Sequence, residues 1–112
     1  MSKVVIVPLD FSETSFNAAH YAANMYRNRE DIILVLYHFY AKAEDIDVAN
    51  NYLKSLKTEL SVECANIETF SESGSDFIES LEAYAHVKAA YMIVMGLTGK
   101  SAILNGFQEV IR

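Results

Sequence analysis

The sequence predicts an α/β protein, an open parallel sheet covered by helices on both faces. Short apolar runs alternate with amphipathic segments at helical spacing, in the order β-α-β-α-β-α-β with short connections. Three of the four runs are apolar almost throughout, as strands buried on both faces are. With 112 residues, 52% hydrophobic and 21% charged, a single domain over 1–112 is expected, large enough to bury a core.

The first run, KVVIV (Lys3 to Val7), is β-branched and bounded by Pro8, which marks a central strand. Ser12 offers an N-cap, and Phe16, Ala19, Ala22, Ala23 and Tyr26 recur at helical spacing without Gly or Pro between. That helix carries a face of small residues and can lie close to a sheet. DIILVLYHF (Asp31 to Phe39) is a second apolar strand. Ala49, Leu53, Leu56 and Leu60, at steps of four, three and four, mark a second helix. CANIETF is shorter and less apolar, which suits a sheet edge. SESGS supplies turn and N-cap residues for a third helix with Ile78, Leu81 and Ala85 on its inner face, and AYMIVM is the fourth strand.

A net charge of −6 without a basic stripe argues against a nucleic-acid partner, because a phosphate backbone would be repelled overall. The lone Cys64 cannot form an internal disulfide and fits a reduced compartment. VVIVPLD is far shorter than a signal-peptide core with its flanks, and no apolar run approaches the roughly 20 residues of a spanning helix, so a soluble cytoplasmic protein with no membrane partner is expected. His20, His38 and His86 fall on three different elements and suggest no nucleophile, base or metal set. No catalytic residue and no metal ligand is assigned.

GLTGKS has the look of a phosphate loop, but only two residues separate Gly96 from Gly99, where a Walker loop needs four before its Gly-Lys-Ser. What survives is a strand ending at a glycine, a short loop through Gly99, then Lys100, Ser101 and Gly106 before a helix start. Such a loop can still serve an anion site of another kind. In open α/β sheets ligands bind beyond the carboxyl ends of the strands, where strand order reverses. Neighbouring first and fourth strands would bring Pro8, Leu9 and Asp10 to face the segment from Met95 to Gly99.

VVIVPLDFSETSFNAAHYAANMY resembles the opening of the universal stress protein family: a strand, Pro-x-Asp, Ser-x-x-Ser, then a helix with Ala18, Tyr21 and Ala22 in an Ala-x-x-Tyr-Ala pattern. LVLYHF is similar to the family's second strand, and AAYMIVMGLTGKS to its fourth strand and nucleotide loop. The resemblance covers nearly the whole chain. It implies a Rossmann-like fold of the adenine nucleotide alpha hydrolase type with strand order 3-2-1-4. It also implies weak binding of ATP or another adenine nucleotide, with magnesium, and at most slow hydrolysis. Asp10 matches the Asp that approaches base and ribose beside the backbone of Pro8 and Leu9; Phe39 matches an apolar position next to the adenine, and Met95 precedes the loop glycine. Turn chemistry before Ser12 accounts equally for Asp10, and core packing for Phe39 and Met95.

The family loop reads Gly-x2-Gly-x9-Gly-Ser/Thr. Gly96 and Gly99 match its start. Taking Gly106 as the third glycine leaves six residues in place of nine and puts Phe107 at the hydroxyl position; enforcing nine puts Glu109 at the glycine. Lys100 and Ser101 offer a charge and a donor that compensate, or are exposed loop residues. Relative to the family the chain is short at its C-terminus, so a fifth strand is expected to be absent and the fourth to form an apolar edge. Self-association through that strand or the tail GFQEVIR follows. Two functions fit: a nucleotide-binding stress-response module, or a protein-interaction module of the same fold that has lost nucleotide.

Overall fold

The computed structural model describes residues 2–40, 46–97, 100–105 and 108–111, from residue 97 onward by the backbone. Strands β1 (Lys3–Pro8), β2 (Ile32–Tyr40), β3 (Ile67–Ser73) and β4 (Met92–Leu97) alternate with helices α1 (Glu13–Met25), α2 (Ile46–Leu60) and α3 (Phe77–Val87), and β5 (Lys100–Asn105) and β6 (Gln108–Ile111) follow. The four parallel strands stand in the expected order, β3-β2-β1-β4.

The sheet then continues, in the order β3-β2-β1-β4-β5-β6, with β5 and β6 antiparallel. This corrects the expected count of four strands, the absent fifth strand, the loop at Lys100 and Ser101, and the helix after Gly106. A tail too short to complete a helix is long enough for strands, because an extended residue spans about 3.3 Å and an antiparallel pair needs only a tight turn between its members. It also removes the expected open edge: β4 pairs with β5 from Ile93↔Leu104 to Leu97↔Lys100.

Strand alternation sorts the core into two layers. Val5, Val7, Leu34 and Leu36 face α1 and α2, packing on Ala18, Ala19, Ala22, Leu53 and Leu60. Ile6, Val35, Tyr37 and Ile93 face α3 through Leu81 and Ala85. The alanine face of α1 is wholly buried, which lets its axis approach β1 and β4 closely. Ile78 was expected on the inner face of α3 but is exposed; Leu81 and Ala85 carry that contact, and the helix is capped by Asp76, which accepts from Glu79 N–H at 2.9 Å, rather than by a residue of SESGS. Among the described residues no helix is long and apolar enough to cross a membrane.

Candidate functional site

β1 pairs with β2 along six residues, but with β4 only at Val5↔Met92 and Ile6↔Ile93. Beyond Ile6 and Ile93 the two strands part, at the point where strand order reverses, and a crevice of about 240 Å³ opens between their carboxyl ends. Pro8, Leu9, Asp10, Phe39, Met95 and Gly96, six of the residues expected at a site, line it. Gly99 and Gly106 lie outside the described residues. Lys100 and Ser101 are placed by their backbone in β5, opposite Leu97 and Gly96.

Two lining residues were missed in the sequence, Ser15 and Phe77. Ser12 caps α1 as expected, its Oγ accepting from Ser15 N–H at 3.2 Å, while the Ser15 hydroxyl donates back to the Ser12 carbonyl at 2.9 Å. The Ser-x-x-Ser spacing was the available signal for this reciprocal cap. Phe77 opens α3 and meets Phe39 edge-on, with ring centroids 5.8 Å apart. Phe39, Phe77 and Met95 all belong to the α3 side of the sheet and make one wall apolar.

The opposite wall is the loop from β1 to α1. Asp10 Oδ1 accepts the Ser12 N–H at 2.9 Å, an Asx turn that confirms the turn chemistry and leaves the second carboxylate oxygen outside that bond. The Ser12 hydroxyl and then its backbone N–H hold the Asp10 carboxyl below its ordinary range, so the group is an anion at neutral pH. Behind the loop, His38 Nδ1 lies 2.7 Å from the Leu9 carbonyl oxygen and donates to it. The His38 ring stacks on Phe11 at 4.4 Å, and Phe11 meets Tyr52 of α2 at 5.2 Å. Phe11 holds φ at 64°, a left-handed conformation that costs a non-glycine residue free energy and that this stacking maintains. The loop's path is therefore fixed by side chains that do not line the crevice.

Among the described residues no group of three or more His, Cys, Asp or Glu gathers as a metal site. Asp10 is the one charged side chain among the described lining residues.

Four parallel strands flanked by helices, with a crevice at the switch point, define an α/β architecture of the doubly wound kind. In particular, the fold is that of the universal stress proteins. The chain is similar to a universal stress protein family structure from Burkholderia pseudomallei at 20% identity and a TM-score of 0.73, covering 87% of this chain and 83% of that one. It is similar to the protein Rv1636 of Mycobacterium tuberculosis at 23% identity and a TM-score of 0.71, over 84% of this chain and 70% of that one. A universal stress protein solved in complex with cAMP matches at 17% identity and a TM-score of 0.69, over 82% and 70%. At these identities the likeness is one of fold. No protein-family model matches the sequence, and no curated protein does.

Proposed function

We propose that the chain is a cytoplasmic stress-response module of the universal stress protein family that binds an adenine nucleotide weakly in the crevice between β1 and β4. The observation that carries this reading is the parting of the two strands after Ile6 and Ile93, which gathers Asp10, Phe39, Met95 and Gly96 around one cavity. The apolar wall of Phe39, Phe77 and Met95 suits a purine face, and the second Asp10 oxygen suits a ribose hydroxyl. A structural neighbour solved with cAMP supports the choice of adenine.

On this reading the end of the crevice at Gly96, where β4 runs on into Leu97, is the phosphate end. A magnesium ion accompanying the nucleotide would be held mainly by phosphates and waters, with Asp10 the one carboxylate among the described lining residues. The protein acts by binding, with ATP turnover slow at most. Copies of the chain meet at the outer edge of β6, the last strand of the sheet, rather than at β4. Light scattering over a concentration series tests this last point, and a monomer throughout contradicts it.

Chromatography of the denatured protein for co-purified AMP, ADP or ATP, followed by calorimetric titration with AMP and cAMP, tests the reading. Binding of an adenine compound that is weakened by Asp10→Ala is expected. No heat at millimolar ligand would turn the assignment to the interaction module of the same fold.

A further inference from the structure

We infer that the outer edge of β3 receives a strand from a partner protein, an extended segment in which two basic side chains flank an apolar one at every second position. No described lining residue of the crevice belongs to β3, so this surface is separate from the adenine site and does not depend on it.

β3 ends the sheet and is bonded on one side only among the described residues. The Leu34 N–H donates to the Asn66 carbonyl at 2.9 Å, which fixes the phase of the ladder. Asn66, Glu68, Phe70 and Glu72 turn their backbone groups toward β2, so the N–H and C=O groups of Thr69 and Ser71 point outward. Unpaired groups of this kind are the template on which another strand adds. Common devices that blunt an edge are missing: β3 contains no Pro or Lys, runs for seven residues, and keeps an unbroken register with β2 from Leu34↔Ile67 to Tyr40↔Ser73.

The side chains of β3 select the partner. By strand alternation Glu68, Phe70 and Glu72 share the face that carries Val35, Tyr37 and Phe39 of β2. Phe70 is exposed, yet its ring lies against Tyr84 of α3 with centroids 4.4 Å and planes 13° apart, which makes it a firm apolar platform. A carboxylate stands on each side of it. Neither forms an ion pair among the described residues, and Lys88 lies over the Tyr84 ring instead, 5.8 Å from its centre. One oxygen of Glu72 accepts the Tyr37 hydroxyl, which orients the group.

This acidic, aromatic, acidic row disfavours a second copy. Antiparallel pairing of two β3 edges about Phe70 would set Glu68 of each copy against Glu72 of the other, and like charges directly opposite are destabilising. The net charge of −6 adds to that repulsion. A segment with Lys or Arg opposite the two carboxylates and an apolar residue opposite Phe70 meets the same row with attraction at each position.

Hydrogen exchange of the whole chain, followed amide by amide by NMR with the synthetic peptide TKTVTKT and its acidic counterpart TETVTET at millimolar concentration, tests the inference. The lysine peptide should slow exchange at Thr69 and Ser71 by at least about threefold at low salt, and the acidic peptide should not. Glu68→Lys, at an exposed position, should weaken binding of the lysine peptide by at least about threefold. Thr69→Pro removes one outward N–H without taking a bond from β2, and should abolish the protection of Ser71 while the β2 amides stay protected. No slowing with the lysine peptide, equal slowing with the acidic one, or undiminished binding by Thr69→Pro would overturn the inference. Slowing brought on by protein concentration alone would give the edge to a second copy and overturn it as well.

Discussion

Gly96 of β4 lies so close to Thr14 of α1 that no side chain fits between them: an added Cβ would stand 2.8 Å from the Thr14 carbonyl carbon and 3.0 Å from its Cγ2. The obstacle is backbone within a helix whose alanine face is already seated on the sheet, so neither partner can yield cheaply. Gly96→Ala should therefore cost about 1–3 kcal/mol, the usual range for overpacking. For a domain of this size that lowers the melting temperature by roughly 4–24 °C. Thr14→Ala should not rescue the variant, because the closest atoms belong to the main chain. Calorimetry of the two single variants and the double variant checks this.

The stacking of His38 on Phe11, and the bond from His38 to the Leu9 carbonyl, hold the wall that carries Asp10. His38→Leu leaves that carbonyl without its donor and should cost about 1–3 kcal/mol in denaturant unfolding.

Phe11 offers a test of sign. Its φ of 64° suits glycine better than alanine by about 1 kcal/mol, whereas both substitutions lose the same stacking. Phe11→Gly should be the more stable of the pair by that amount, although glycine is ordinarily the worse replacement. Equal stabilities would show that the loop relaxes out of the left-handed conformation.

Asp10→Ala removes the proposed ribose acceptor and should weaken adenosine binding by about 1–2 kcal/mol, roughly five- to thirtyfold. ATP should lose less, since the same change removes a charge that opposes its phosphates. Parallel titrations of both ligands decide it, and equal losses would mean that Asp10 acts only as the turn residue before Ser12.

At the opposite end of the sheet, Arg29 grips Asp31 through Nε to Oδ1 at 2.8 Å and Nη2 to Oδ2 at 2.7 Å. These bonds lower the Asp31 pKa from 3.8 to about 2. A folded value below the unfolded one means that the stabilisation is complete above the unfolded pKa and is lost as pH falls through the folded one. The pair should accordingly persist until the pH nears 2. An NMR titration of the Asp31 carboxyl should show a midpoint near 2 that returns toward 3.8 in Arg29→Ala.

The parallel half of the fold was legible because its signals are local: β-branched runs fix the strands, Ser12 starts α1, and the steps from Ala49 to Leu60 fix α2. Pro8, Leu9, Asp10, Met95 and Gly96 could be expected to line one crevice because carboxyl strand ends meet once the strand order is known, whereas Phe39 was expected there only through the family resemblance. The antiparallel addition was not legible. Gly96 reads as the glycine that ends the fourth strand, yet the strand continues through it to Leu97 and its small size serves α1, far away in the sequence. The contacts of Phe11 with His38 and Tyr52 depend on three separate elements, and no spacing in the sequence announces them.

Amide and aromatic chemical-shift mapping during an adenosine titration tests the crevice assignment most directly. Saturable shifts centred on Leu9, Asp10, Phe39, Phe77 and Gly96, the residues that surround the parting of β1 and β4, are expected. The second groove, between α1 and α2 and lined by His20, Tyr52 and Glu59, should stay unperturbed. No shifts at millimolar adenosine, or shifts confined to that second groove, would contradict it.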